Sequence, residues 1–272
     1  MTRYGVCTWI FGGEPLAQTA QRLAKLGYDG MELLGDPGQF QPAEVNRIAA
    51  DHGLRVISLT PLNEDILHPD PPTRKRGIDY YFRLLDFAKA VGSPIVCCHG
   101  AVGRIRPVTT YDEEWKLYVD AVRQIGRRAE ELGLDMAMEV LNRYEAHLLL
   151  TSEEAVRFVE EVGSSRVGVL LDAYHMNIEE KDPRSAIFKA RKHLKLFHVA
   201  DSNRQAVGRG HTDFIGVVRA LKDIGYGGPV IVENVAPGPD PFTPLKGDNP
   251  IGWLETYLDE TLRLMKLYET VA

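Results

Sequence analysis

Residues 167–180 read VGVLLDAYHMNIEE, and the first six of them indicate how this chain folds. The run VGVLLD is aliphatic on both of its faces until it stops at Asp172. Short apolar runs of this kind are typical of strands in a parallel sheet, where helices cover both faces. A carboxylate at the end of such a strand needs a partner, because an unpaired charge is costly beside an apolar core.

Similar runs recur along the whole chain, so that eight candidate strands alternate with eight candidate helices. The predicted strands are residues 4–9, 29–34, 54–59, 94–99, 134–140, 167–172, 194–199 and 229–234. The predicted helices are residues 14–26, 42–52, 74–91, 112–132, 153–162, 184–192, 214–224 and 251–267. Eight such units predict an α/β fold of one domain over residues 1–272, the closed (β/α)8 TIM barrel. An open doubly wound sheet is the runner-up, but no G-x-G-x-x-G motif follows the first strand.

Composition and net charge limit the kinds of partner and location that we expect for this protein. Of the 272 residues, 44% are hydrophobic and 26% are charged, which is ordinary for a globular protein. The net charge of −6 disfavours nucleic acid and anionic membranes as partners. We expect no signal peptide and no membrane span, since no run approaches the ~20 apolar residues that a span needs. The three cysteines fit buried apolar positions in a reducing compartment, so the predicted location is cytoplasmic.

Polar residues end the last four predicted strands. They are Glu139, Asp172, His198 and Glu233. Active sites of (β/α)8 barrels assemble at the carboxyl ends of the strands, so these side chains are expected to meet on one rim. Each acid alone could be a helix cap or a surface charge, but four in register would repel unless a cation joins them. Three carboxylates and one imidazole predict a divalent metal, Mn²⁺ first, with Mg²⁺ or Co²⁺ as alternatives.

Three further residues follow these strand ends in the next loops. His175 lies three residues after Asp172, and it could bind substrate, support a metal ligand or be a surface histidine. Glu145 and Arg204 each lie six residues after a predicted ligand, and they could be solvated charges. Their position near the predicted metal favours substrate contact for all three.

Two other features lie near the same rim. His99 ends the fourth strand, where a packed or pocket-lining histidine is expected rather than a fifth ligand. Trp9 and Phe11 follow the first strand. Aromatic packing is the default expectation for both rings, and a wall that stacks on a sugar is the alternative.

Four segments carry a family resemblance: MEVLNRYE, LLDAYHMNIEE, FHVADSNR and VIVEN, in this order. Together they resemble the D-tagatose 3-epimerase-like ketose 3-epimerases of the xylose isomerase-like TIM-barrel superfamily. The resemblance is strongest over residues 134–234. It continues more loosely into YGVCTWIF and LGYDGMELL in the N-terminal half.

The resemblance implies a role for each candidate residue. It implies a metal site of Glu139, Asp172, His198 and Glu233, in which Glu139 and Glu233 also act as the acid–base pair. It further implies that Glu145, His175 and Arg204 bind substrate. Asp201 departs from the Glu of many relatives, and the loops TPLNEDILHPDPP (60–72) and GAVGRIRP (100–107) match no family pattern.

The function implied is epimerisation of a free ketose at C3, with a small-molecule ketose as partner and a homodimer or homotetramer as the assembly. A metal of this kind stabilises an enediolate as a Lewis acid, while two glutamates move the proton. The alternative enzymes are an aldose–ketose isomerase and an isomerase of the keto-inositol or hydroxypyruvate type. An endonuclease IV-like nuclease would need an Asp-x-His after the seventh strand, where Arg209-Gly210-His211 stands. A non-catalytic sugar-binding barrel is disfavoured by the intact glutamate pair.

Overall fold

Eight parallel strands close into a barrel in which each strand pairs with the next and β8 pairs with β1. This computed structural model describes residues 2–240 and 242–272, so Met1 and Pro241 of the predicted domain lie outside the described residues. The strands are β1 Tyr4–Cys7, β2 Gly30–Gly35, β3 Arg55–Pro61, β4 Ile95–Cys98, β5 Asp135–Glu139, β6 Val167–Asp172, β7 Leu194–Val199 and β8 Val230–Val232. The TIM-barrel prediction is confirmed.

The helices pack around the barrel and cover its outer face. They are α1 Leu16–Leu26, α2 Pro42–Asp51, α3 Pro71–Val91, α4 Tyr111–Leu132, α5 Ser152–Val162, α6 Ala173–Glu179, α7 Pro183–Ala190, α8 Phe214–Asp223 and α9 Pro250–Val271. Leu170 and Leu171 point to opposite faces of β6, and each is 0% exposed. Both faces of the sheet are therefore covered, as the aliphatic run predicted. Within the described residues, no helix is both long and apolar enough to cross a membrane.

Several predicted bounds differ from the structure: β8 ends at Val232 instead of residue 234, and α6 was not among the eight predicted helices. The first strand ends at Cys7 instead of residue 9, because Thr8–Phe11 form one turn of 3-10 helix. His175 was predicted in a loop, but it lies in the short helix α6. The cause is Asp172, whose Oδ1 accepts hydrogen bonds from the backbone N–H groups of Tyr174 and His175. A carboxylate that accepts from these groups caps a helix N-terminus, so the helix starts directly after the strand.

Candidate active site

The four strand-end residues meet at the carboxyl rim of the barrel. Glu139 and Asp172 are the last residues of β5 and β6, and His198 lies in β7 opposite Asp172. Glu233 follows β8, and its backbone N–H donates to the Val199 carbonyl at 3.0 Å. One ligand atom of each of these four residues lies within 4.8 Å of the others. The predicted convergence is therefore present in the fold.

Two buried atoms of this cluster have no hydrogen-bond partner among the described residues. They are Asp172 Oδ2 and His198 Nδ1, which lie 3.8 Å apart. His198 Nδ1 is also 3.9 Å from Glu139 Oε1. Unpartnered buried polar atoms are rare because each costs free energy, and these are a carboxylate oxygen and an imidazole nitrogen that converge. The donor set of three carboxylates and one imidazole suits a hard or borderline divalent ion.

His198 is held from behind by Glu32, a residue of β2 that no sequence motif singled out. Its Nε2 lies 3.1 Å from Glu32 Oε2. Glu32 also accepts hydrogen bonds from Ser58 at 2.6 Å and from the thiols of Cys7 and Cys97 at 3.2 and 3.3 Å. Burial raises the pKa values of both thiols well above the ordinary value, so they act as donors. The three cysteines are buried free thiols.

Without a metal ion, burial and the neighbouring charges strongly shift the pKa values of the cluster residues. Burial raises the pKa of Glu139 well above its usual range, and the Glu233 and Asp172 carboxylates raise it further against the effect of His198. Burial, then the Glu233 charge, raises the pKa of Asp172 to about 6. Burial lowers the pKa of His198, but the charge and hydrogen bond of Glu32 outweigh it and raise the value to about 10. Protons therefore occupy this cluster at neutral pH unless a cation displaces them.

Glu32 has the opposite shift. Burial would raise its pKa, but the charge of His198 and the hydrogen bonds from His198, Ser58 and Thr60 lower it to about 2. A carboxylate that accepts several hydrogen bonds stays ionised even in an apolar core. The interior of the barrel thus contains a fixed negative charge directly behind the His198 ring.

The predicted substrate-binding residues lie above the same cluster. His175 Nε2 is 4.0 Å from Glu139 Oε1, and its Nδ1 is 3.9 Å from Glu145 Oε1. Asn142 was not singled out from the sequence, yet its Nδ2 lies 2.8 Å from both Glu145 Oε1 and His175 Nδ1. Its Oδ1 accepts from the Tyr144 N–H at 2.9 Å, which fixes Nδ2 as the donor. His175 Nδ1 is therefore the acceptor, so the neutral ring carries its proton on Nε2, toward the cluster.

Neutral His175 agrees with its electrostatic surroundings. Burial lowers its pKa well below the ordinary value, and the positive charges of Arg204 and then His198 lower it further. The pKa of Glu145 moves up, because burial outweighs the effects of Arg204 and Asn142. At the rim, neutral His175 therefore presents an N–H donor beside the Glu145 carboxyl group, whose raised pKa favours its protonated form.

Arg204 is the third predicted substrate-binding residue, and it is almost completely buried. Its Nη2 donates to Glu233 Oε2 at 2.7 Å, and the guanidinium lies 4.7 Å from the centre of the Tyr174 ring. Its backbone has a φ of 58°, and its N–H donates to the Asp201 carbonyl at 2.7 Å. The Asp201 carboxylate accepts from further backbone N–H groups of the same loop. Asp201 thus organises this loop.

Trp9 contacts the site through a hydrogen bond, and not only by aromatic packing. Its indole Nε1 donates to Glu233 Oε1 at 2.7 Å, so both oxygens of Glu233 accept a hydrogen bond. Phe11, in contrast, is buried in the core, as the default expectation had it. His99 lines the cavity and stands outside the group of four potential ligands, and burial lowers its pKa to about 4.

A cavity of about 370 Å³ opens over the cluster, a volume that suits a small molecule. Its polar wall contains Trp9, Glu139, Glu145, His175, Arg204 and Glu233. The other side is mostly apolar and comes from the loops without a family pattern and from their neighbours: Leu34, Pro61, Leu62, Val102, Leu141 and Phe242, with Thr60, Asn63 and His99 as polar members. A larger groove of about 620 Å³ lies beside Trp115 on the outer helices and contains none of the predicted site residues.

Comparisons with known proteins agree with this geometry. The xylose isomerase-like TIM barrel family matches residues 20–263. A D-psicose 3-epimerase of Ruminiclostridium cellulolyticum is 35% identical over 225 residues, which are 78% of this chain and 76% of that protein. A ketose 3-epimerase of Arthrobacter globiformis is 32% identical over 235 residues, 84% of this chain and 81% of the relative.

A solved structure has the same architecture along its whole length. The D-psicose 3-epimerase of Clostridium cellulolyticum H10, solved with D-tagatose, superimposes with a TM-score of 0.88 at 27% identity and covers 99% of both chains. The chain therefore belongs to the xylose isomerase-like TIM-barrel family and, within it, to the ketose 3-epimerases, which are isomerases that act on ketose sugars.

Proposed function

We propose that this protein interconverts free ketoses that differ at C3, in a reaction that requires a divalent ion and two glutamates. The observation that carries the proposal is the convergence of Glu139, Asp172, His198 and Glu233 within 4.8 Å at the floor of a small cavity. The unpartnered Asp172 Oδ2 and His198 Nδ1 support a cation there. When bound, the ion would supply Lewis-acid stabilisation of the negative charge that develops on the ketose oxygens as the C3 proton leaves.

The two glutamates are proposed to act as the acid and the base. Both oxygens of Glu233 accept hydrogen bonds, one from Trp9 and one from Arg204, and these hold the carboxyl group in place. Glu139 ends β5 and Glu233 follows β8, so the two carboxyl groups come from different strands of the rim. In one direction Glu233 takes the C3 proton from one face while Glu139 donates to the other. Their roles reverse for the other epimer.

The other residues of the polar wall hold the substrate in register. His175 donates from Nε2 toward an oxygen at the C1–C2 end of the sugar. Arg204 has a buried Nε that lacks a partner within the described residues, and it supplies a second donor. Glu145 assists at the same end. Fixing the sugar between two bases in this way removes much of the entropic cost of the proton transfer.

Mn²⁺ is the ion we propose first, with Co²⁺ and Mg²⁺ as alternatives, because one imidazole nitrogen joins three carboxylates. We also propose a homodimer or homotetramer located in the cytoplasm. Three buried free thiols support a reducing compartment. The assembly rests on the resemblance to ketose 3-epimerases, and light scattering of the purified protein would measure it.

The direct test is incubation of the Mn²⁺-loaded protein with a panel of ketohexoses and ketopentoses, followed by chromatography. We expect pairs of C3 epimers from at least one ketose and no cleavage of abasic DNA. An aldose product would favour an aldose–ketose isomerase, and the absence of any product from the panel would contradict the proposed substrate class.

The glutamate pair is tested by Glu139→Gln and Glu233→Gln, with Glu160→Gln on an exposed helix surface as control. Each site variant should lose epimerisation by about 100-fold or more, since general acid–base catalysis contributes 10²–10⁴-fold. With saturating Mn²⁺, a variant that keeps one glutamate can still exchange the C3 proton of one epimer without inversion. If Glu233→Gln inverted C3 at near wild-type rate, the two-base scheme would be wrong.

A further inference from the structure

Glu32 is a buried charge for which the fold alone has no need. It lies in β2, is 0% exposed, and faces the interior of the barrel beneath the four-residue cluster. Across the described residues, His198 is the one basic side chain within 4 Å of it. A buried carboxylate without a strong cation costs several kcal/mol, so an apolar residue would stabilise the barrel better at this position.

Several neighbours are arranged to keep this carboxylate ionised and stationary. Oε1 accepts hydrogen bonds from Cys7 of β1 and from Thr60 of β3. Oε2 accepts from Ser58 of β3 and from Cys97 of β4. Donors from three strands therefore fix both oxygens, and Oε2 also faces the His198 ring from β7.

The contact between Glu32 and His198 determines which imidazole nitrogen faces the cavity floor. Oε2 lies 3.1 Å from Nε2, so Nε2 carries the proton and donates it. Once the ring is neutral, Nδ1 is therefore the nitrogen with the lone pair; it has no partner among the described side chains and faces Asp172 Oδ2 and Glu139 Oε1. A carboxylate behind a ligating histidine orients the ring and increases its basicity.

We infer that Glu32 is a positioning residue for the metal centre, which fixes the orientation and tautomer of His198 so that Nδ1 can bind the ion. The inference rests on the proposed function, because it assumes a cation at the four-residue cluster. It differs from a second metal site made by Glu32, Cys97 and His198, whose ligand atoms also lie close together. In that group Cys97 is a protonated thiol and His198 Nε2 carries a proton, and both donate to Glu32, so neither is in the deprotonated form that binds an ion.

The test compares Glu32→Gln with Glu114→Gln in the full-length protein. Gln keeps the size and an acceptor oxygen but removes the charge. Glu114 is an equally buried control, since it is 0% exposed and its Oε2 lies 2.9 Å from Nε2 of His147. Mn²⁺ affinity is measured by calorimetry after chelation, and the visible spectrum of the Co²⁺-loaded protein reports on the ligand field.

For Glu32→Gln we expect Mn²⁺ to bind about 10–100-fold more weakly, as is typical when the partner of a ligating histidine is lost. The Co²⁺ bands should also shift. Glu114→Gln should match the wild-type protein in both respects, whatever it does to the melting temperature. Unchanged Mn²⁺ affinity and an unchanged Co²⁺ spectrum in folded Glu32→Gln would overturn the inference.

A second variant covers the case in which Glu32→Gln does not fold. Ser58→Ala removes one donor to Glu32 and leaves the charge in place, so it should weaken Mn²⁺ binding by a smaller factor than the loss of the charge. Wild-type affinity in Ser58→Ala would then contradict the inference. A wild-type protein that binds no Mn²⁺ would instead refute the metal site of the proposed function, which is a different outcome.

Discussion

The affinity of the site for Mn²⁺ should rise steeply with pH. In the chain without an ion, His198 has a pKa of about 10, and the pKa of Glu139 is raised well above its usual range. Each must lose a proton before it can bind a metal. His198 therefore still holds both ring protons at neutral pH, and the raised pKa of Glu139 shifts it toward its protonated form, so acid opposes binding and alkali favours it.

The magnitude follows from the number of protons displaced. Two protons per ion correspond to about 100-fold in affinity for each pH unit, or about 2.7 kcal/mol, as long as the pH lies below both pKa values. Asp172, with a pKa of about 6, adds a third proton below pH 6 and makes the dependence steeper. Excess Mn²⁺ at 100 times its dissociation constant should stabilise the fold by about 2.7 kcal/mol.

The assay is calorimetric titration with Mn²⁺ at pH 7 in two buffers that differ in their enthalpy of ionisation. The difference in apparent enthalpy gives the number of protons released, which should be close to two. In Glu139→Gln, which has no proton to release at that position, the number should fall by about one. No proton release, together with an affinity that is flat between pH 6 and pH 8, would refute this account of the cluster.

Two further substitutions test the hydrogen bonds that position the site residues and the close packing of strands in the barrel. Asn142→Ala removes the hydrogen bonds to Glu145 and His175, each worth about 1 kcal/mol. We expect kcat/KM to fall about 10- to 30-fold while Mn²⁺ affinity stays constant, and unchanged steady-state kinetics would contradict a positioning role. Gly30→Ala would place a Cβ 2.3 Å from a backbone oxygen of β3, so it should destabilise the fold by about 3 kcal/mol. Gly13→Ala, where nothing lies within 4 Å, is the control, and equal melting temperatures of the two variants would contradict the packing argument.

The parts of the site that the sequence predicted are those that depend on local pattern. Asp172 and Glu139 each interrupt an aliphatic run at its end, and in a parallel barrel all such ends meet on one rim. The bounds of β6 and β7 agree with the prediction for the same reason, because a polar residue or a turn follows each run. The aliphatic pattern was therefore sufficient for the fold and for the four-residue cluster.

Two contacts of the site that the sequence did not predict act over long separations in the chain. Glu32 contacts His198 across 166 residues, and Trp9 contacts Glu233 across 224. Both contacts exist only because the barrel closes by pairing β1 with β8. The periodicity of side chains along one strand carries no information about which distant strand lies beside it. Glu32 did occur in a segment typical of the superfamily, LGYDGMELL, and an acid within that apolar strand was the available signal.

Reaction in D₂O tests the central claim most directly, because it follows the proton that the two glutamates are proposed to move. The Mn²⁺-loaded protein is incubated with a ketose that it converts, and the position of deuterium is determined by NMR. The account predicts deuterium at C3 of the product epimer, none at C1, and no exchange after chelation of the metal. Conversion without deuterium at C3, or label at C1 alone, would contradict it.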